Sequence, residues 1–281
     1  MTATREPVPV AAQAPTREAV MAQARSENFP VASYLLGRRE RSHLLAIYGF
    51  ARLVDDLGDE APGDRLALLD WLEAELDRLY AGAPVEHPVM RSLAPTVAAC
   101  HLPAEPFRRL IEANRRDQTV TRYETFDQLL DYCRLSAAPV GELVLHVFAA
   151  ASPDRIRLSD RICAGLQVTE HLQDIVEDHS RGRVYLPQED LRSFGCSESD
   201  LTASGEGGEA VRRLIAFEVD RARSLLAEGA PLARTLAPRA RAAVASFVAG
   251  GRAALDGLGR SGPHNSKRAF VSAWLQAVRG R

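Results

Sequence analysis

Three carboxylates at four-residue spacing constrain this chain more than any other feature. In Leu166–Pro187 (LQVTEHLQDIVEDHSRGRVYLP), Glu170, Asp174 and Asp178 recur at intervals of four. In an α-helix that interval stacks them along one face. Gln167 extends the ridge by a turn, Glu177 flanks it, and Leu166, Val168, Leu172, Ile175 and Val176 supply the apolar side. Like charges so placed repel by about 0.2–0.5 kcal/mol per pair in a solvated helix, and by more when enclosed. No basic residue stands four positions from any of the three. A cation bound from outside would relieve them; a solvated acidic face is the competing reading.

A second segment of the same design weighs against that alternative. In Ala46–Glu60 (AIYGFARLVDDLGDE), Asp55 and Asp59 are four apart, as are Asp56 and Glu60, and Tyr48 and Arg52 fall on the side of Asp55 and Asp59. Two such helices facing each other across a cavity would offer an all-oxygen donor set. That set suits a hard octahedral ion that keeps water, Mg²⁺ rather than Zn²⁺. Substrate phosphates commonly complete Mg²⁺ coordination, so a diphosphate ligand is expected.

With these residues in view, the chain resembles the squalene/phytoene synthase family of head-to-head prenyl transferases. Within that family it is most similar to the bacterial hydroxysqualene synthase branch. Five segments carry the resemblance, in family order: SENFPVAS (Ser26–Ser33), YGFARLVDDLGDE (Tyr48–Glu60), RYETFDQLLDYCRLSAAPVGEL (Arg122–Leu143), TEHLQDIVED (Thr169–Asp178) and GRVYLPQEDL (Gly182–Leu191). The resemblance implies a single-domain, all-α isoprenoid-synthase bundle around a central cavity, with Mg²⁺ as cofactor and a presqualene or farnesyl diphosphate substrate. Asp55, Asp59, Asp174 and Asp178 become the metal ligands, with Asp56, Glu60, Glu170 and Glu177 as lesser partners; Asp56 could equally be a solvated neighbour.

The resemblance extends to the rest of the site. Ser26, Phe29, Arg52, Gln167, Glu170 and Arg183 would bind substrate, and guanidinium groups suit bidentate phosphate contact. Tyr48, Arg52, Asp117, Tyr132 and Tyr185 would serve the chemistry, the tyrosines by steering diphosphate or facing a carbocation. Ser26 also reads as a helix-end hydrogen-bonder, the tyrosines as packed core residues, and Asp117 as a surface ion pair with Arg115 or Arg116. His171 stands beside the ridge, as an interface histidine or as a holder of water. Ala137, Val140 and Gly141 would line the prenyl tunnel at a kink made by Pro139 and Gly141; close helix packing is the other reading of that kink.

Two departures matter. Where the family's second motif usually resembles QLTNILRDIGED, this chain has QVTEHLQDIVED. Glu170 replaces an amide and Gln173 an arginine, moving the site toward holding cations and away from a second diphosphate. That favours conversion of presqualene diphosphate to hydroxysqualene by ionisation, rearrangement and water capture. Presqualene diphosphate, squalene or phytoene-type synthesis is the alternative. A non-catalytic scaffold relative is disfavoured by the intact acid pairs, and a cyclase by the RYETF…YCRLSAAPVG match.

Composition narrows the remaining classes. The net charge of −2 gives no field for nucleic acid, and 46% apolar residues suffice for a large core. Cys100, Cys133, Cys163 and Cys196 form no CxxC pair, so reduced thiols in a cytoplasmic protein are expected. No uncharged apolar run approaches the roughly 18 residues of a membrane span, which leaves peripheral membrane contact and cooperation with pathway enzymes open. An Ala/Pro/Thr-rich tail over 1–15 is expected to be disordered, with one helical domain over 16–281. Expected helices include Arg38–Leu57, Asp64–Tyr80, Phe126–Phe148, Asp154–Asp178, Glu209–Glu228, Pro238–Leu258 and Lys267–Val278.

Overall fold

A computed structural model describes residues 14–23, 37–202 and 208–261. Ser26, Phe29, most of the tail and the helix expected over Lys267–Val278 lie outside the described residues. The described chain is all-α: α1 Arg17–Gln23, α2 Arg38–Asp55, α3 Arg65–Tyr80, α4 Pro88–Cys100, α5 Glu105–Asp117 and α6 Phe126–Ser136 come first. Then follow α7 Ala138–Val147, α8 Pro153–Gln173, α9 Ile175–Ser180, α10 Gln188–Ser193, α11 Glu209–Gly229 and α12 Pro238–Ser261. The only β pairing among the described residues is an isolated parallel bridge between Arg122 and Val184.

Local chemistry sets the helix starts. The side chains of Asp64, Thr125 and Ser152 accept hydrogen bonds from Ala67 N, Gln128 N and Arg155 N, capping α3, α6 and α8. Pro88, Pro153 and Pro238 open α4, α8 and α12, where no backbone donor is needed.

Two apolar cores flank the middle of the molecule. Phe50, Leu53, Leu57, Leu72, Met90 and Phe107 join α2 to α3, α4 and α5, with the Phe50 and Phe107 rings edge-to-face at 4.8 Å. Leu129, Val168, Leu172, Leu214, Leu226 and Leu255 join α6, α8, α11 and α12. At Gly229 the backbone of α11 comes so near α8 that a Cβ would lie 2.6 Å from Leu158 O. Hydrophobic burial holds the halves together, and the acidic segments run between them.

Two helices expected to be continuous are interrupted and a third changes character at its expected end, each at a site segment. α2 gives way at Asp56–Glu60 to a π-helical turn closed by Ala61 N to Asp56 O at 2.8 Å; such turns recur at functional sites. The Phe126–Phe148 helix is broken at Ala137 (φ −112°, ψ −45°) rather than kinked, and Pro139 then sits harmlessly in the first turn of α7. Asp174 (φ −101°, ψ 14°) separates α8 from α9. The four-residue register survives that break, because Asp174 N still bonds Glu170 O at 3.0 Å and Asp178 N bonds Asp174 O at 2.8 Å.

Candidate active site

The two acidic segments meet. Asp55 is exposed, although protein atoms crowd around it. Burial pushes its pKa up to about 7; the Asn114 hydrogen bond and Arg52 oppose this, and Asp59 and Glu170 add to it. Glu170 belongs to α8, so carboxylates from the two acidic segments act on one another. Asp178 is likewise pushed up to about 7, by burial and then by Asp174, with Glu170 and Glu177 adding and Arg183 opposing. Among the described residues no group of three or more His, Cys, Asp or Glu side chains is gathered closely enough to hold a metal ion without further ligands. Mutually repelling carboxylates fit a cation that takes its remaining ligands from substrate and water.

Two arginines answer the acids. Arg183 Nη2 lies 2.6 Å from Asp59 Oδ1. Burial works against its charge, but Asp59, Tyr185 and Asp117 overcome that and hold its pKa above the usual value. Arg52 lies 2.7 Å from Asp56 and 2.9 Å from Glu60. It therefore pairs with the second acid pair of its segment, while its charge still lowers the pKa of Asp55. Asp56 is buried in this ion pair, so it is not the solvated neighbour the sequence left open.

An aromatic lobe adjoins the acids. Tyr132 Oη donates to Asp117 Oδ2 at 2.7 Å, so Asp117 turns inward instead of forming a surface pair. Burial raises Asp117 to about 6, against the Tyr132 hydrogen bond and Arg183. The Tyr185 ring stacks on His171 at 3.8 Å with 11° between planes. Burial drives the His171 pKa down to about 3, so the imidazole is neutral. Its Nε2 is 3.4 Å from Gln167 Nε2, and its Nδ1 is 4.0 Å from Asp178 Oδ2. Tyr48 is buried on α2, one turn before Arg52.

Tyr123 and Asn114 belong to this assembly and escaped the sequence reading. Tyr123 is 1% exposed, 5.4 Å from the Tyr132 ring and stacked on Tyr185 at 5.8 Å. The chain over 121–124 runs beside 184–189 through Val184 N to Thr121 O, Gln188 N to Tyr123 O and Glu189 N to Glu124 O. That pairing sets Tyr123 against Tyr185, and the RYETF run was its only trace in the sequence. Asn114 Nδ2 donates to Asp55 Oδ1 at 3.4 Å. It approaches because Gly58 has no side chain: a Cβ there would lie 2.1 Å from Asn114 Oδ1.

The tunnel residues divide. Ala137 and Val140 are half-buried, and Val140 packs on the α2–α5 core. A Cβ on Gly141 would lie 2.3 Å from Ser159 Oγ and 2.6 Å from Cys163 Sγ of α8. Gly141 thus permits close packing of α7 on α8.

Comparison with known proteins identifies the family. Residues 22–275 match the family description squalene/phytoene synthase. A hydroxysqualene synthase of Rhodopseudomonas palustris is 39% identical over 213 residues, 74% of this chain and 71% of that protein. A phytoene synthase of Arthrospira platensis is 33% identical over 269 residues, 90% of this chain and 86% of that protein. The crystal structure of squalene synthase HpnC from Alicyclobacillus acidocaldarius superposes with a TM-score of 0.81 at 46% identity, covering 91% of this chain and 97% of that one. With its all-α fold, facing acid ridges and these relatives, the chain belongs to the squalene/phytoene synthase family and is a head-to-head prenyl transferase-like enzyme.

Proposed function

We propose that this enzyme ionises presqualene diphosphate and captures the rearranged carbocation with water, releasing hydroxysqualene. The family acts on prenyl diphosphates. The observation that carries the finer reading is the charge of Glu170 on α8 bearing on Asp55 of the first acidic segment: an extra negative charge where the family motif usually has an amide, three residues before Gln173 in place of an arginine. Such a site binds cations more strongly and a second diphosphate less well. Similarity to a protein named hydroxysqualene synthase supports the same reading.

Asp55, Asp59, Asp174 and Asp178 would hold Mg²⁺, which when bound stabilises the charge of a departing diphosphate. Arg183 and Arg52 supply guanidinium donors to diphosphate oxygens beside those acids. Tyr132, Tyr185 and Tyr123 present ring faces to the hydrocarbon cation, a favourable electrostatic contact. Gln167 and Glu170 orient the diphosphate end, and Tyr48 closes the α2 side. Ala137 and Val140 leave room for a prenyl chain beyond the α6–α7 break.

Condensation of two prenyl diphosphates is the second reading, favoured by the phytoene synthase that aligns over 90% of the chain. Incubation with Mg²⁺ and either farnesyl or presqualene diphosphate, with identification of the C30 products, separates the two. Hydroxysqualene from presqualene diphosphate, and no presqualene diphosphate from farnesyl diphosphate, is the expected result. Unaided conversion of farnesyl diphosphate would overturn the argument from Glu170 and Gln173.

A further inference from the structure

Two polar atoms in the aromatic lobe are buried without a hydrogen-bond partner: Asp117 Oδ1 and Tyr123 Oη. Leaving such groups unpaired is unfavourable, so their persistence calls for an explanation. They share one neighbourhood through Tyr132, whose hydroxyl lies 2.7 Å from Asp117 Oδ2 and whose ring lies 5.4 Å from the Tyr123 ring. Tyr132 already occupies Asp117 Oδ2, which leaves Oδ1 as the basic atom. The Tyr123, Tyr132 and Tyr185 rings pack against one another here, and the Arg116 guanidinium lies 5.6 Å from the Tyr123 ring centroid. A polar spot with two partners, set among electron-rich rings, suits one water beside a carbocation.

We propose that Asp117 Oδ1 and Tyr123 Oη hold the water that captures the C30 carbocation, with Asp117 accepting its proton. This rests on the hydroxysqualene reading above and assigns the step which that reading leaves unassigned. A lone pair of the water oxygen forms the new C–O bond. The resulting oxonium loses one proton to the Asp117 carboxylate, giving a neutral alcohol and a neutral carboxylic acid. The proton returns to solvent when the alcohol leaves, and no oxidant or reductant is consumed. The other polar groups nearby have different engagements. Asp59 is paired with Arg183, and His171 is stacked on Tyr185 beside Gln167 and Asp178.

The test supplies presqualene diphosphate and Mg²⁺ to the full chain and reads the C30 alcohol as a share of all C30 products. A residue that merely supports the fold lowers total turnover without changing that share. Asp117→Asn should cut the alcohol share about tenfold in favour of alkenes formed by proton loss, a loss typical of removing a general base. Tyr123→Phe should lower it in the same direction, and Asp117→Glu should restore part of it. An alcohol share unchanged in both Asp117→Asn and Tyr123→Phe overturns the assignment. Should Asp117→Asn fail to fold by circular dichroism, the Tyr123→Phe share decides alone. Wild-type protein making no alcohol at all would sink the parent reading and this one with it, whereas wild-type alcohol with unaltered variant shares removes only the water site.

Discussion

Arg183 and Asp59, 124 positions apart in the chain, are joined by a 2.6 Å ion pair. The contact ties the basic loop after α9 to the first acidic segment and places a guanidinium at the edge of the carboxylate cluster. Were Asp59 to hold a metal as proposed, Arg183 would be the group available to meet diphosphate.

Replacing Arg183 by Ala should therefore raise KM for the prenyl diphosphate about tenfold or more, since charge-assisted bidentate contacts contribute roughly 1.5–3 kcal/mol. Steady-state kinetics at saturating Mg²⁺ measures this. An unchanged KM would show that the ion pair is purely structural.

Asp55→Asn and Asp174→Asn should each lower turnover by about a hundredfold or more, as removal of a group that stabilises leaving-group charge does. Both variants should stay folded, because each loses a charge from a mutually repelling cluster. Activity assays beside thermal melts decide the matter, and retained turnover would remove the metal assignment.

The carboxylates also set a pH dependence opposite in sign to that of ordinary salt-bridged acids. Asp55 and Asp178 titrate near 7 in the folded state, against an ordinary value of 3.8. Between about pH 4 and 7 the native state holds more protons than the unfolded chain, so metal-free stability falls as pH rises through that window. Mg²⁺ competes with those protons. The rise in Tm on adding Mg²⁺ should be larger at pH 8 than at pH 5, and a rise independent of pH would argue that these groups bind no metal.

Gly58→Ala tests the support beneath Asp55. Its Cβ would fall 2.1 Å from Asn114 Oδ1, so Asn114 must move and release Asp55. A loss of about 1–3 kcal/mol in unfolding free energy is expected from overpacking, together with weaker Mg²⁺ binding by calorimetry. Wild-type Mg²⁺ affinity in this variant would show that Asn114 does not position Asp55.

Much of the fold was legible because helix periodicity is a local property. The helical spans of α3 and of α11 and the stacking of Glu170, Asp174 and Asp178 follow from residues within a few positions of each other, although Leu66, expected inside α3, is exposed. The end of α2 near Asp56–Glu60 was expected, but the breaks at Ala137 and Asp174 were less visible, because no local signal marks a one-residue break. Pro139 pointed at the right region but at the wrong residue, since proline tolerates a helix start and the break lies before it.

Taken alone, the sequence determined which faces carry charge, which bury apolar groups, and that two acid ridges of matching design exist. It could not decide which side chains those ridges meet. That Arg183 binds Asp59, that Asn114 reaches Asp55 past Gly58, and that Tyr123 stacks on Tyr185 are facts of tertiary structure. Each depends on how helices from distant parts of the chain are set by the two cores, and no spacing along one helix encodes the distance between two.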